Sequence, residues 1–226
     1  SAVSPACNAG LMSGNRPPDD AALRMNRISF TDFDAWTTRQ TRLIRDNAFF
    51  DAAHAFEDEG VMFHQGDLVV DELMVAPVTV IDGNVSARKI GYPYDVGLLV
   101  VTGNLTCEHI GRLSFDVIVG GHLHAQSVCV NTSNDYLLRV GGDITCDFFS
   151  EYGCAVEVQG RIICPKVLSL MNEVVAHGGI EGELIDSFRG KDVAQVLVSE
   201  VLTDDGYFDE EKFEACVRSG KSPYKD

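Results

Sequence analysis

The sequence predicts an all-β core in the form of a right-handed parallel β-helix (solenoid) of about seven coils, with α-helical segments capping both ends. Three observations predict it: glycines that recur every 17 to 21 residues, apolar residues at fixed positions after each glycine, and apolar–polar alternation within each repeat. Such a repeat is too short for a strand, a crossover helix and a turn, which need roughly 30 residues, but it suits one coil of stacked strands. The repeat glycines are Gly66, Gly83, Gly103, Gly121, Gly142, Gly160 and Gly178.

Aligning the repeats on these glycines gives three columns of side chains. Coils of a solenoid stack at about 4.8 Å, so an inward column needs similar side chains along its whole length. We predict that all three columns point inward, and that the glycines mark a bend or a left-handed residue. Two residues after the glycine stand Leu68, Val85, Leu105, Leu123, Ile144, Ile162 and Ile180; four residues after it stand Val70, Ala87, Cys107, Ala125, Cys146, Cys164 and Gly182; seven residues after it stand Leu73, Ile90, Ile110, Val128, Phe149, Val167 and Ile185.

The segments before the solenoid are predicted to be a flexible stretch, residues 1–22, and a helical cap, residues 23–60. The first is rich in proline and glycine among small polar residues. In the second, Thr31 is the expected N-cap of a helix, and a further helical run is expected over Asn47 to Phe56. Helices at the end of a solenoid cover backbone groups that would otherwise pair with another chain.

The solenoid itself is assigned to residues 61–186, and residues 187–226 to a helical C-terminal cap. A helical stretch is expected to begin at Asp192. Asp209 is the expected N-cap of a short helix with Phe213, Cys216 and Val217 on one face, and Gly220 lies just beyond its end.

Composition places the chain among globular proteins, with 45% hydrophobic and 23% charged residues. No uncharged apolar stretch reaches the roughly 18 residues that span a bilayer, and no signal peptide is recognisable, so a cytoplasmic protein is expected. The seven cysteines form no Cys-x-x-Cys pair, and Cys107, Cys146 and Cys164 share one inward column. Buried reduced thiols are therefore predicted rather than a disulfide framework.

The charge of the chain, formally −16, is unevenly distributed. Between Asp46 and Ala87 there are nine acidic residues and no lysine or arginine. This acidic flank is either a solvated surface or a surface complementary to a basic protein, and it disfavours nucleic acid as a partner. The carboxylates predicted to bind such a partner are Asp46, Asp51, Glu57, Asp58, Glu59, Asp67, Asp71 and Glu72.

Two histidines, His122 and His124, flank the inward Leu123 and are predicted to point outward on one face. In the predicted register His122 lies between Asn104 and Asp143, so only Asp143 adds a natural metal ligand. A zinc site needs three or four ligands. The prediction is therefore no metal, with His122, His124 and Asp143 as the alternative ligand set.

Motifs for catalysis are missing from the sequence. It contains no Gly-x-Ser-x-Gly, no phosphate-binding loop and no His-Glu-x-x-His. Neither an enzyme nor a cofactor is predicted.

Two units of the repeat, Leu99–Thr106 and Leu138–Thr145, resemble the β-solenoid repeats of bactofilins, the polymer-forming cytoskeletal proteins of bacteria. The resemblance covers about Val61 to Ile185 and implies a solenoid scaffold whose subunits stack end to end. The chain departs from that pattern in its helical segments and longer loops. Its acidity and size are also similar to those of small proteins that neutralise bacterial polymorphic toxins.

The predicted function is that of a non-catalytic protein-binding protein: an immunity-type inhibitor of a basic bacterial toxin. A bactofilin-like scaffold is the first alternative and a polysaccharide-acting β-helix enzyme the second. The inhibitor hypothesis implies a basic protein as partner and a monomer or small homo-oligomer. It also implies that the protein binds neither nucleic acid nor a membrane.

Overall fold

The computed structural model describes residues 25–48, 60–91, 97–111, 113, 115–187 and 192–225, and within it most residues form a parallel β-solenoid of about six turns. The strands are β1 (Asn26–Ile28), β2 (Val61–Gln65), β3 (Leu68–Met74), β4 (Val78–Asp82), β5 (Val85–Gly91), β6 (Leu98–Val101), β7 (Leu105–Thr106), β8 (His109–Gly111), β9 (Asp116–Val119), β10 (Leu123–His124), β11 (Ser127–Val140), β12 (Ile144–Thr145), β13 (Phe148–Val158), β14 (Ile162–Ser169), β15 (Val174–Ala176) and β16 (Ile180–Asp186). The helices are α1 (Phe30–Thr37), α2 (Arg42–Asn47) and α3 (Glu210–Arg218), with 3₁₀ turns at Val193–Gln195 and Ser199–Val201.

Each coil of the solenoid contributes a strand segment to three parallel sheets. Sheet A contains β2, β4, β6, β9, the C-terminal parts of β11 and β13, and β15. Sheet B contains the start of β3 and β5, then β7, β10, β12, and the start of β14 and β16. Sheet C contains the later parts of β3, β5, β14 and β16, with β8 and the first parts of β11 and β13.

The predicted column two residues after each glycine is confirmed as an inward ladder in sheet B. Successive coils align Leu68 with Val85, and the same register continues through Leu123 and Ile144 to Ile180. Ile144 is fully buried between its neighbours in this ladder. The aliphatic interior is therefore continuous along the axis, and its burial stabilises the solenoid by roughly 25 cal/mol per Å² of apolar surface.

One residue of the column seven after the glycine departs from the prediction. Val167 pairs with Leu184, so Ile185 instead pairs with Leu168, which lies in the outer cluster beneath the C-terminal segment. The cause is an irregularity in the pairing between Ile163 and Lys166, beside Gly182 at a φ of 149°. A bulge of this kind moves every later side chain by one position and so reverses which face it occupies.

Six of the seven repeat glycines are required by close contact between coils, whereas Gly66 is required by its backbone conformation. The prediction of a bend or a left-handed residue is met by a bend or turn at each of the seven, and among them only Gly66 also has a positive φ, of 99°. A Cβ at Gly160 would lie 2.6 Å from the carbonyl oxygen of Gly142, and one at Gly103 would lie 2.8 Å from that of Gly83. Each repeat glycine except Gly66 thus leaves room for the backbone of the neighbouring coil.

The helices near the N-terminus pack on the outer face of sheet A. Ser29 caps α1 by accepting a hydrogen bond from the Asp32 N–H at 3.1 Å, so the N-cap lies two residues earlier than the one predicted at Thr31. Phe33, Trp36 and Ile44 pack in one buried cluster with aliphatic residues of sheet A. Those residues are Val61, Val78, Val80, Leu98, Val100 and Ile118.

Strand β1 pairs antiparallel with β2 and so covers one edge of the first coil. This strand was not predicted from the sequence. The predicted flexible stretch of residues 1–22 lies outside the described residues, as does most of the second predicted helix, and α2 occupies the positions just before it.

The C-terminal segment packs on the outer face of sheet C. As predicted, Asp209 caps α3, where its carboxylate accepts the Lys212 N–H at 3.0 Å, and Phe213 and Val217 are buried. The stretch expected to be helical from Asp192 contains two 3₁₀ turns instead. Within the described part of the chain, no helix is long and apolar enough to cross a membrane.

The predicted buried thiols are confirmed at five positions in the described residues. Cys107, Cys129, Cys146, Cys154 and Cys164 are free and buried. Burial raises the pKa of the Cys107 thiol to about 12, and it does the same at Cys129 and Cys154. Thiols held in the protonated form are poor nucleophiles, so these side chains act as small apolar groups of the core.

Candidate functional site

The outer face of sheet A changes from apolar to polar about halfway along the solenoid. One outward column begins with Phe63, Val80, Val100 and Ile118, and then continues with Arg139 and Glu157. Helices α1 and α2 cover the apolar half. The later coils therefore present a polar surface beside α2.

Glu157 is the centre of this surface. Its Oε1 accepts hydrogen bonds from His177 Nε2 at 3.0 Å and Gln159 Nε2 at 3.2 Å. On the other side of Glu157, the Nε atom of Arg139 lies 3.1 Å from Glu157 Oε2, but the two are not aligned for a hydrogen bond. The Nη1 atom of Arg139 donates a hydrogen bond to the Ala155 carbonyl at 3.2 Å. The hydrogen bond from His177, with the nearby Arg139 charge, lowers the pKa of Glu157.

Two adjoining cavities of about 610 and 510 Å³ share Glu157 in their lining, and together we call them the polar groove. The first lies between α2 and the strand ends that carry Gln159 and His177. The second is bounded by Tyr136 and Asp116. Burial raises the pKa of Asp116, whose Oδ1 accepts the Leu137 N–H at 3.0 Å. Each cavity falls in the size range of small-molecule sites, roughly 300 to 1,000 Å³.

Four of the eight carboxylates predicted to bind a partner lie among the described residues, and they occupy two different locations. Asp46 lies on α2 and forms ion pairs of 3.1 Å with Arg42 and Arg45, which lower its pKa. Asp67, Asp71 and Glu72 are exposed on the first coil. Asp51, Glu57, Asp58 and Glu59 lie outside the described residues.

The carboxylates of the first coil contact the second coil. Asp71 pairs with Arg88 at 2.8 Å, and Glu72 pairs with Lys89 at 2.7 Å. All four side chains are between 38% and 75% exposed. Exposed pairs of this kind contribute about 0 to 1 kcal/mol, so the carboxylates can exchange their partners for those of another protein.

His122 and Asp143 belong to a ladder of side chain to backbone hydrogen bonds that ties successive coils together. As predicted, His122 and His124 point outward around the buried Leu123, and His122 lies between Asn104 and Asp143. His122 Nδ1 accepts the Asp143 N–H at 2.9 Å, and Asp143 accepts the Arg161 N–H at 2.7 Å, which lowers the Asp143 pKa. The ladder starts with Asp67, Asn84 and Asn104.

Of the candidate metal ligands, His122 Nδ1 and Asp143 Oδ1 accept hydrogen bonds within this ladder. Among the residues that the structure describes, no group of three or more His, Cys, Asp or Glu side chains is placed to hold a metal ion.

A buried carboxylate, Glu151, was missed by the sequence analysis. It is fully buried in sheet C, and its two oxygens accept five backbone N–H groups, from Gly153, Cys154, Leu170, Met171 and Asn172, at 2.6 to 3.1 Å. A carboxylate saturated in this way holds two loops of adjacent coils together. We assign it a structural role.

The polar groove was also missed, although the same repeat alignment contains its signal. Three residues before each repeat glycine stand Phe63, Val80, Val100, Ile118, Arg139, Glu157 and Val175. A change from apolar to charged side chains within one column marks the point where a covered surface becomes an open one. The acidic flank, by contrast, is a contiguous run in the sequence and is visible without the repeat alignment.

Comparison of the chain with protein-family models, curated proteins and solved structures finds no match.

Proposed function

We propose that the protein is a non-catalytic binding protein, an immunity-type inhibitor that neutralises a basic bacterial toxin. The observation that carries the proposal is the run from Asp46 to Ala87, with nine carboxylates and no basic residue, in a chain of formal charge −16. Asp67, Asp71 and Glu72 present part of this run on the exposed first coil. Complementary charge speeds the encounter with a basic partner and rejects acidic ones.

The same charges argue against the alternative of an end-to-end scaffold. Glu72 and Glu183 are the first and last members of one outward column of sheet C, and both are exposed. Stacking a second copy on the last coil would continue this column and bring the two carboxylates about 5 Å apart at the backbone. Like charges directly opposite each other in adjacent strands are destabilising.

The last strand, β16, also has features that oppose edge pairing. It carries Glu181, Glu183 and Asp186 within seven residues, and Gly182 interrupts its register. Charged side chains and bulges are the devices with which natural proteins protect exposed edges. The edge of β16 is therefore more consistent with a protein that does not polymerise and binds a different partner than with a subunit of a polymer.

The test compares charge reversal in the acidic flank with the same reversal elsewhere. A Glu57→Lys/Asp58→Lys variant changes the charge by the same amount as Asp204→Lys/Asp205→Lys, which lies in the exposed turn before Gly206. Association rates with the purified product of the neighbouring gene would be measured at low salt. The proposal predicts that the first variant associates at least about tenfold more slowly and that the second changes little.

Thermal melts of both variants check that the fold is intact. Equal slowing by the two variants would attribute binding to net charge alone. Unchanged rates for both would remove the acidic flank from recognition.

A further inference from the structure

Strand β16 forms an open edge on the last coil of the solenoid. Among the described residues, β14 is the only strand that pairs with it. An edge strand presents a row of backbone N–H and C=O groups on its free side, and these groups can pair with the backbone of another chain. Residues 181–184 are all exposed, so this part of the edge is open to solvent.

The apolar interior of the solenoid is also open at this edge. Leu184 continues the inward column that contains Val128, Phe149 and Val167. Those three side chains are fully buried because a coil lies on each side of them, whereas Leu184 is 48% exposed. An added strand with an apolar side chain opposite Leu184 would bury this surface and complete the column.

The charges along β16 define which strand would fit. Its last four residues, Glu183, Leu184, Ile185 and Asp186, place a carboxylate at each end of an apolar pair. The strand contains a third carboxylate, Glu181, and no lysine or arginine. Opposite charges and apolar pairs across adjacent strands are stabilising. The complementary pattern is basic, apolar, apolar, basic, and it is the same for either direction of the added strand.

The ion pairs that these carboxylates already form leave them accessible. Glu181 Oε2 lies 3.1 Å from Arg161 Nη1, and Glu183 Oε2 lies 3.6 Å from Lys166 Nζ. Both cations belong to the preceding coil, and the two carboxylate side chains are 63% and 60% exposed. A carboxylate has about four acceptor sites on its two oxygens, so each can bond a second cation on the free side of β16.

We propose that the edge of β16 binds an extended segment of another protein by strand addition, and that this segment has the pattern basic, apolar, apolar, basic. In this mode, backbone hydrogen bonds supply affinity and alternate side chains supply specificity. The β16 of a second copy does not fit, because its carboxylates would lie opposite the same carboxylates. The inference does not rest on the proposed function, since Asp67, Asp71 and Glu72 lie on the first coil.

The test measures binding of three fluorescently labelled octapeptides to the full-length protein by fluorescence polarisation. The first peptide, Thr-Thr-Lys-Leu-Val-Lys-Thr-Thr, has the complementary pattern. The second has glutamate in place of both lysines, and the third is methylated on the backbone nitrogens of its leucine and valine. We expect only the first to bind with a Kd below about 1 mM, because strand addition needs both complementary charge and free backbone N–H groups.

Substitutions in β16 test where the peptide binds. Glu183→Lys replaces an attraction with a repulsion, so it is expected to weaken binding of the first peptide at least about threefold and to strengthen binding of the second. Leu184→Ser removes the apolar contact and is expected to weaken binding of the first peptide by a similar factor.

Two matched substitutions serve as controls. Asp205→Lys makes the same change of charge in an exposed turn, and Val69→Ser removes a side chain that is 81% exposed on the first coil. Both are expected to leave peptide binding unchanged. Melting curves show whether all four variants fold.

The inference is overturned if the first peptide does not bind, or if backbone methylation leaves its affinity unchanged, since charge alone would then explain the binding. Equal weakening by Asp205→Lys and Glu183→Lys would also overturn it. The Glu57→Lys/Asp58→Lys variant separates this inference from the proposed function. Binding that is lost in that variant and kept in Glu183→Lys would place the peptide on the acidic flank, against the edge site and in favour of the flank.

Discussion

Single residues decide the stability of this solenoid according to which face of a strand they occupy. Ile144 is fully buried in the inward ladder, whereas its neighbour Thr145 points outward between His124 and Ile163. Because every coil repeats the same ladder, an error at one inward position disturbs the coils on both sides. Thr145 lies outside this inward ladder and is only partly buried, so it lacks this coupling.

We expect Ile144→Asp to destabilise the fold by several kcal/mol, because it places an unpaired carboxylate among aliphatic side chains. Thr145→Asp is expected to cost no more than about 1 kcal/mol. Thermal or urea unfolding of the two variants measures the difference. Equal losses of stability would mean that the inward and outward faces are misassigned.

The buried Glu151 gives a second residue-scale prediction. In Glu151→Gln, the amide NH₂ faces backbone N–H donors in place of an accepting oxygen, so we expect a loss of roughly 2 to 5 kcal/mol in the free energy of unfolding. The exposed Glu200→Gln is the matched control and is expected to change stability by less than about 0.5 kcal/mol. If both variants unfold at the same urea concentration, the five N–H contacts to Glu151 contribute nothing net.

At the scale of the element, the repeat and helix α3 with its Asp209 cap were predictable, whereas β1 and the two 3₁₀ turns were not. The alignment on the glycines from Gly66 to Gly178 is sufficient to identify the inward columns, because the stacking of coils requires similar side chains within each column. It carries none about the bulge that displaces Ile185, which depends on local backbone geometry around Gly182. It also left β1 undetected, since a three-residue strand shows no periodicity.

The outward faces of the strands explain where the appended segments pack. Cys129, Leu168 and Leu170 form an apolar outer surface on sheet C, and the segment from Val193 to Val217 covers it. The inward columns, from which the fold was predicted, carry no information about these outward contacts. For the same reason the polar groove, which begins where the outward apolar column of sheet A ends, escaped prediction.

Removal of residues 192–226 is therefore expected to expose the outer face of sheet C and to cause association of the truncated chains. Exposed contiguous apolar surface of this kind promotes aggregation. Light scattering of truncated and full-length protein at the same concentration tests it. A truncated chain that remains monodisperse with an unchanged melting temperature would show that this segment is dispensable for the solenoid.

At the scale of the whole molecule, the acidic ends predict that the intact protein is a monomer or a small closed oligomer. The repulsion between Glu183 and Glu72 of successive copies weakens with salt, because exposed charges are screened over about 8 Å at physiological ionic strength. Analytical ultracentrifugation at low and high salt measures the oligomeric state. Filaments at low salt would contradict the prediction and favour a scaffold function.

The most direct test of the proposed function is the association rate between the wild-type protein and its basic partner as a function of ionic strength. Attraction between the acidic flank and a basic protein predicts a rate that falls at least about tenfold between low salt and roughly 0.5 M salt, with a much smaller change in the dissociation rate. An association rate that is independent of salt would contradict recognition through the acidic surface.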